Sequence, residues 1–389
     1  MRLRAVLSLS VATALAVVVS GCAADEQAQD ESKGDIVIGA NLELSGPTAS
    51  IGTTYKKALD LKVKQLNDSD AAGGRKIRLV VRDNRTDNNT SVANVNHFIK
   101  NENVTAVISG GCSACIVPAI PTITENKVPT IALASASAIT SPVAERRYVF
   151  KISPNPAEDA QVIGAELKRK NLGTVGLLYV NNVYGQDGEK AVTQEAAKVG
   201  VKVVHEEQFG QADTNMTIQV SKIVAAKPAA VVIWAVMPAA GLIVKALRDA
   251  GYPGAVYLDA GAGAELFVKG TGDAAEGTNM VFPKVLAVNE IDASTPQGAA
   301  QKQWVTAYQS ANGPYSGFAS FAADALQTIV DAVQKADSTD REKVRDNIEA
   351  AQFDGVSGPL HFTAENHSGL TPEALGILVV RQGDWHLAG

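Results

Sequence analysis

The sequence contains few of the residues on which metal sites and nucleophilic enzymes depend. Its 389 residues include three cysteines and five histidines, and aromatic residues make up 5% of the chain. The histidines are scattered without the spacing of zinc ligands, at positions 97, 205, 361, 367 and 386. A Gly-x-Ser-x-Gly nucleophile elbow is also absent. We therefore expect neither an enzyme, nor a metal site, nor a bound cofactor.

The chain also lacks a surplus of positive charge. It has 35 Lys and Arg against 41 Asp and Glu, which gives a formal net charge of −6. Proteins that bind nucleic acid usually present a basic face, so we expect no nucleic-acid partner. After the first residues, no apolar run reaches the roughly 20 residues that cross a bilayer. We expect the chain to contact a membrane only through its N-terminus.

The first 22 residues have the pattern of a bacterial export signal. Arg2 and Arg4 precede an uncharged run at 5–19, and Val-Ser-Gly-Cys follows at 19–22. The run is too short to span a bilayer, so residues 1–21 are predicted to be a secretory signal. The ending resembles a lipobox, in which Cys22 is lipidated and becomes the first mature residue. A plain signal peptide with a chance cysteine is the alternative.

The residues after Cys22 predict a tether that joins the lipid to a folded body. Residues 22–34 are rich in Ala, Asp, Glu, Gln and Ser and show no apolar periodicity. We therefore expect an extracytoplasmic protein that is lipid-anchored to the bacterial cell membrane. The rest of the chain is too long for one compact core, which predicts two lobes.

Short apolar runs alternate with helical patterns along the first part of this body. Four runs are nearly continuous apolar segments, and we predict strands at 36–39, 77–81, 104–109 and 128–133. Between the first two, Tyr55, Leu59 and Val63 fall on one face of a helix. Such alternation builds a parallel sheet that helices cover on both faces.

The pattern restarts after a proline-containing stretch at 153–156. Four more strands are predicted, at 174–180, 201–205, 229–235 and 256–259. A helical block then begins near Gly298, and its last helix is predicted to open with a capping box of Thr339 and Glu342. Two strands, at 360–362 and 377–381, finish the chain. A helical block without strands of its own must pack on an earlier sheet, so the chain must cross between lobes several times.

Three loops that follow predicted strands are candidates for ligand contact. Ligands of open α/β sheets bind at the carboxyl ends of the strands. The first loop, 44–52, contains Ser45 and Ile51, and the second, 110–115, contains Ser113 and Ala114. The third, 132–137, consists of small residues that would let a ligand approach the backbone. Each loop also has a plain interpretation: an ordinary connection, an N-cap at Ser113, or close packing against a helix.

The pair Cys112 and Cys115 has three possible roles. A redox pair would follow the first strand of a thioredoxin-like unit, which is absent, and zinc would need two more ligands. Export favours a short disulfide, and two small buried thiols are the alternative. Gly261 and Gly263 are similar to the start of a dinucleotide-binding loop, but Leu266 stands where the third glycine belongs. An ordinary loop is the better interpretation there.

Taken in order, these segments resemble the type I periplasmic binding proteins of the leucine/isoleucine/valine-binding class, which are receptors for ABC importers. The resemblance covers nearly the whole mature chain. It rests on Leu44-Ser45-Gly46-Pro47, Asp83, Ser113 with Pro118, and the segments at 180–185, 275–277 and 353–358. It implies an α/β fold of two Rossmann-like lobes with parallel-rich sheets, joined by three crossover strands and closing on a ligand by hinge motion. The N-terminal lobe would comprise 35–152 and 284–352, and the C-terminal lobe 153–283 and 353–389.

The resemblance also implies which residues line the cleft between the lobes. They are Ser45, Ile51, Ser113, Ala114, Ala134, Ser135, Ala136, Tyr184, Val236, Met237 and Gly261. In amino-acid-binding members the ligand carboxylate meets the serine loop, and its ammonium group meets a hydroxyl group and an acidic residue.

When this chain is matched to those members, Ser113 falls at the position that meets the ligand carboxylate. Ala136 falls where the hydroxyl-bearing residue is expected, and Gly261 falls near the position of the acidic residue. Ile51 and Val236 fall where aromatic residues often close over the ligand. An ammonium group buried without a carboxylate partner is costly, by several kcal/mol. We therefore expect a ligand with a carboxylate or amide oxygen and an apolar body but no α-ammonium group, unless Asp259 or Glu265 supplies the acid.

The expected function is capture of a small organic solute, such as an organic or aromatic acid or an amino-acid-like compound. A monomeric protein would deliver it to the permease and ATPase of an ABC importer. The alternative is a ligand-sensing domain for a membrane signalling partner, and the chain itself does not discriminate between the two.

Overall fold

The first of the two large sheets among the described residues is fully parallel and has five strands. A computed structural model describes residues 34–263 and 266–389. Its first strands are β1 (Ile36–Leu42), β2 (Ile77–Asp83), β3 (Ala106–Ser109), β4 (Thr130–Ala132) and β5 (Val149–Lys151). They lie in the order β2-β1-β3-β4-β5. Both faces are covered by helices, which explains why β3 and β4 are buried along their whole length.

Four helices connect these strands. They are α1 (Ala49–Asp68), α2 (Asn88–Lys100), α3 (Ser113–Ile116) and α4 (Ile120–Glu125). Tyr55 and Leu59 on α1 are buried against the sheet, as their helical spacing predicts.

The second sheet has seven strands and is mixed. Its strands are β6 (Thr174–Val180), β7 (Lys202–Phe209), β8 (Ala230–Trp234), β9 (Ala255–Leu258), β10 (Asn279–Pro283), β13 (Leu375–Arg381) and β14 (Asp384–Leu387). Their order is β14-β13-β10-β9-β8-β6-β7, and the last two strands of the chain pair antiparallel. The helices of this region are α5 (Pro156–Arg169), α6 (Val183–Val199), α7 (Thr217–Ala225), α8 (Ala239–Asp249) and α9 (Leu266–Thr271).

Three further helices return to the first sheet. They are α10 (Pro296–Asn312), α11 (Phe318–Ala336) and α12 (Arg341–Glu349), followed by a small hairpin of β11 (Gln352–Asp354) and β12 (Pro359–His361). The helix α11 packs between α1 and α12, and most of its residues are buried. The chain therefore passes between the sheets after β5, after β10 and after β12. This confirms the predicted fold class, while the exact lobe boundaries stay a prediction.

The crossings are held side by side by backbone hydrogen bonds. The Lys151 N–H donates to the His367 carbonyl at 2.9 Å, and the Gly369 N–H donates to the Lys151 carbonyl at 2.9 Å. The two segments therefore form one short ladder between the two large sheets.

The predicted capping box of α12 is wrong. The N-cap residue is Asp340 and not Thr339, and the Asp340 side chain accepts from the Lys343 N–H at 3.1 Å. The Glu342 side chain instead accepts a hydrogen bond from Tyr148 and pairs with Lys127. None of the described helices is long and apolar enough to cross a membrane.

The predicted signal peptide, Cys22 and all but the last residue of the tether lie outside the described residues. Residues 34–389 form one compact unit.

Candidate functional site

A cavity lies where loops from the carboxyl ends of both sheets meet. Its volume is about 70 Å³, counted as the space open to the centres of water molecules. About 10–15 Å³ of this measure holds one water molecule, so the cavity fits a small ligand of several non-hydrogen atoms. The loops after β1, β3 and β4 form one wall, and the loops after β6, β8 and β9 form the opposite wall. This is the position at which open α/β sheets bind ligands.

Most of the cavity wall is apolar. Ile51 and Tyr55 reach it from α1, and Phe318 and Phe321 reach it from α11. The Tyr55 and Phe318 rings pack edge to face with centroids 5.9 Å apart. Tyr55 is also fixed by its hydroxyl group, which donates to the Leu133 carbonyl at 3.2 Å. These fixed side chains form a preformed surface for the apolar part of a ligand.

A buried carboxylate supports the loop after β3. Glu43 is 1% exposed, and its oxygens accept from the backbone N–H of Gly111 at 3.0 Å and of Cys112 at 3.3 Å. The Asn84 amide donates to it at 2.9 Å. Burial raises the pKa of Glu43, and the hydrogen bonds oppose that rise. A Cβ atom on Gly110 would overlap the carboxylate, so the loop needs glycine there.

The same loop carries a disulfide between Cys112 and Cys115, and this bridge encloses the first residues of α3. Within it, the Ser113 hydroxyl oxygen accepts from the Ala136 N–H at 3.2 Å and so ties the loop to the one after β4. A hydroxyl group that accepts still has its own hydrogen to donate. Ser113 therefore fixes two loops and offers a donor to the cavity.

The loop after β4 is held from the hinge side. The Ser153 hydroxyl donates to the Ala134 carbonyl at 2.6 Å, and the Lys151 ammonium donates to the Ser135 carbonyl. Lys151 is fully buried, and burial lowers its pKa to about 8. The carboxylates of Asp159 and others nearby favour its charged form. The hinge is thus joined directly to the cavity wall.

Asp259 lies in the opposite wall, at the end of β9. It is 1% exposed and accepts from the Tyr184 hydroxyl, from the Gly261 N–H at 2.9 Å and from the Ala235 N–H at 3.0 Å. Burial raises the pKa of Asp259 to about 7, although these hydrogen bonds favour the ionised form. Both of its oxygens are engaged, so its carboxylate orients Tyr184 and the loop at Gly261.

A second carboxylate, Asp159, lies beside it in the first turn of α5. It is 2% exposed and lines the cavity, and its Oδ1 atom has no hydrogen-bond partner among the described residues. Burial raises the pKa of Asp159 well above its usual range, and the charge of Asp259 raises it further. A buried acid with an unpaired oxygen is costly unless a donor or cation meets it.

Comparison with known proteins identifies the family. A family model described as periplasmic binding protein matches residues 35–382. The chain belongs to this family. It is therefore a solute-binding protein of an extracytoplasmic class, and it is not an enzyme.

Several relatives of this periplasmic binding protein carry names that refer to amino acids. A leucine-, isoleucine-, valine-, threonine- and alanine-binding protein of Pseudomonas aeruginosa is 24% identical over 89% of this chain and 90% of its own. A Leu/Ile/Val-binding protein homolog of Brucella melitensis is 25% identical over 79% of this chain and 80% of its own.

Solved structures share the fold. An extracellular ligand-binding receptor from Rhodopseudomonas palustris superposes with a TM-score of 0.83 at 27% identity, covering 91% of this chain and 99% of the receptor. A branched-chain amino acid binding protein from Streptococcus pneumoniae, in complex with isoleucine, superposes with a TM-score of 0.81 at 22% identity, over 90% of this chain and 98% of its own. At that identity the second likeness shows the fold alone.

The binding protein brings together most of the residues predicted for its cleft. Those that line the cavity are Ile51, Ser113, Ala114, Ala134, Ser135, Tyr184, Val236 and Gly261. Three predicted residues do not line it. Ser45 is exposed and donates to the Asp83 carboxylate at 2.6 Å, Ala136 is buried behind Ser113, and Met237 lines a smaller neighbouring cavity.

Several residues that line the cavity were not predicted to do so, namely Thr48, Tyr55, Asp159, Asn182, Gln211, Phe318 and Phe321. An acid in the first turn of a helix is common because it complements the helix dipole, so Asp159 gives no separate signal in the sequence. Asp259, named only as an alternative anchor, does line the cavity, while Glu265 lies outside the described residues. In the part of the chain that the structure describes, no group of three acidic, histidine or cysteine side chains could hold a metal ion.

Proposed function

We propose that this periplasmic binding protein captures an apolar α-amino acid between its lobes and delivers it to an ABC importer. The observation that carries the proposal is Asp159, a buried carboxylate with an unpaired oxygen in a mostly apolar cavity. An ammonium group bound there would supply the missing donor and compensate the buried charge.

The opposite wall offers a partner for the second charge of such a ligand. The hydroxyl group of Ser113 offers a donor to a carboxylate. An α-amino acid carries its ammonium and carboxylate groups on one carbon atom, so both charges lie at the same end of the molecule. The side chains of Tyr55 and Phe318, which also line the cavity, suit the apolar body that extends from that carbon.

This proposal replaces the expectation of a ligand without an ammonium group. That expectation depended on the absence of an acid in the second lobe, because Gly261 stands near the acidic position of the family. Two carboxylates line the cavity, at Asp159 and Asp259, so the physical reason for excluding an ammonium group is removed. The amino acids in the name of the relative from Pseudomonas aeruginosa support the same ligand class.

A thermal-shift screen of residues 34–389 tests the ligand class. The panel comprises apolar L-amino acids, their deaminated acids, aromatic acids, amides and polyols. Aromatic acids belong in it because a fold neighbour from Rhodopseudomonas palustris was solved with 3,4-dihydroxybenzoic acid. A bound ligand stabilises the protein by about 2.7 kcal/mol at a hundredfold excess over its dissociation constant. Stabilisation by amino acids alone supports the proposal, and stabilisation by aromatic acids alone overturns it.

The transport role includes attachment to the membrane through lipid on Cys22, with the cognate permease and ATPase as partners. A monomeric state suits docking of one closed molecule on the permease. Deleting the gene in its native host should abolish uptake of the labelled ligand. Unchanged uptake together with a lost transcriptional response to the ligand would favour the sensing alternative.

A further inference from the structure

A second, smaller cavity adjoins the first in the cleft. Its volume is about 20 Å³ by the same measure. Four residues line both cavities: Thr48, Val180, Gln211 and Val236. The second cavity therefore borders the first across a shared rim and is not a separate site elsewhere on the surface.

The second cavity has the chemistry of a pocket for hydrocarbon. Phe209 and Met237 line it and are 2% and 4% exposed, and Pro47 and Ala239 complete its apolar wall. Two rim side chains are polar, and both have partners within the protein. The Thr48 hydroxyl group shares a hydrogen bond with the Thr86 hydroxyl group at 3.0 Å, and the Gln211 amide oxygen accepts from Asn182 at 3.2 Å. Val180 and Val236 form the apolar part of the rim.

Val236 stands on the rim and lines both cavities. A ring at this position would take up more of the space between them than the small valine side chain does. Met237 lies in the wall of the second cavity, and its terminal methyl group lies close to Gly241. Methionine is flexible and adapts its shape to what it contacts. Since one water molecule needs about 10–15 Å³, the second cavity has room for about one or two non-hydrogen atoms of a ligand.

We infer that the second cavity is a distal subsite that receives the end of the ligand side chain. Val236 and Met237 set the length of that side chain. The inference rests on the proposed function and narrows it. The preferred ligands are amino acids whose apolar side chain extends for about four carbons from Cα, such as norleucine and methionine, over the shorter alanine and valine.

A series of unbranched amino acids tests the subsite by isothermal titration of residues 34–389. The series is L-alanine, L-2-aminobutyrate, L-norvaline, L-norleucine and L-2-aminoheptanoate. Burial of each methylene group gains about fourfold in affinity, so norleucine should bind about sixtyfold more tightly than alanine. The longest member should gain nothing more, because Met237 ends the pocket.

Two variants and a control locate the effect. Val236→Phe closes the passage and should lower the ratio of norleucine to alanine affinity at least tenfold. Met237→Ala lengthens the pocket and should shift the optimum to 2-aminoheptanoate, and it keeps the test informative if the bulkier variant fails to fold. The control Ile218→Phe adds the same ring at a residue that is 71% exposed, and the ratio should not change.

The outcomes separate the subsite from the proposed function. The subsite proposal is overturned if affinity stops rising at norvaline. It is also overturned if both variants keep the wild-type ratio of norleucine to alanine affinity. Failure of every amino acid in the series to bind overturns the proposed function and the subsite with it.

Discussion

Asp159→Asn should weaken binding of L-leucine by two to three orders of magnitude. The substitution keeps the shape of the side chain but removes its charge, so the ligand ammonium would be buried without its partner. Breaking a buried ion pair in this way costs about 3–5 kcal/mol, and 1.4 kcal/mol is a factor of ten in affinity. We expect the lower part of that range because Asp259, which is also ionisable, remains beside the ligand.

The same substitution should stabilise the ligand-free protein at pH 8. Burial and the neighbouring charge of Asp259 raise the pKa of Asp159, so its ionisation opposes folding. A neutral side chain removes that cost. Weaker binding together with a higher free energy of unfolding distinguishes loss of an anchor from damage to the fold.

Calorimetric titration with L-leucine and urea denaturation of the free protein measure the two effects. Asp249→Asn is the matched control, since it removes one carboxylate from an exposed position at the end of α8. The control should match the wild type in both assays. An affinity of Asp159→Asn within threefold of the wild type would refute the assigned role of this carboxylate.

Three further expectations follow from the same contacts and from the sequence. Affinity for an amino acid should fall between pH 8 and pH 5.5, by up to about tenfold per pH unit. The reason is that Asp259, with its pKa raised to about 7, is protonated at the lower pH, so the ligand ammonium meets less negative charge. Calorimetry at the two pH values measures this, and a constant affinity contradicts it. Gly110→Ala should destabilise the protein by about 1–3 kcal/mol and abolish binding, because its Cβ atom displaces Glu43. The control Gly173→Ala should do neither, because its new atom meets open space. Equal urea midpoints for the two variants would refute the role of Glu43. Mass spectrometry of the protein made in a bacterial host should find diacylglycerol on Cys22 at the mature N-terminus, and cleavage elsewhere would rule the anchor out.

The α/β alternation and the two-lobe arrangement could be predicted because they depend on local periodicity. Long buried strands such as β6 and β8 are continuous apolar runs, and α11 shows its apolar face at helical spacing. The strands β5 and β10 were not predicted, each for its own reason. The first is only three residues long and ends in Lys151, and the second includes Asn279 and ends in Pro283. Their pairing is decided by neighbours that the local sequence does not contain.

The cavity could be predicted where it depends on loops at strand ends and not where it depends on distant packing. Ser113 and Tyr184 follow strands and so could be assigned to the cleft. Phe318 is separated from them by more than a hundred residues, and nothing local distinguishes it from an ordinary core residue. The acid was assigned near Gly261 by matching without gaps, while the carboxylates that line the cavity are Asp259, two residues away, and Asp159 on another element.

Calorimetric titration of residues 34–389 at pH 8 with L-leucine and with 4-methylpentanoic acid tests the central claim most directly. The two compounds share the carboxylate and the apolar body and differ by the ammonium group alone. If Asp159 anchors that group, leucine should bind at least a hundredfold more tightly than the deaminated acid. Equal or tighter binding of the deaminated acid would contradict the account, because the unpaired Oδ1 atom of Asp159 would then gain no donor from the ligand.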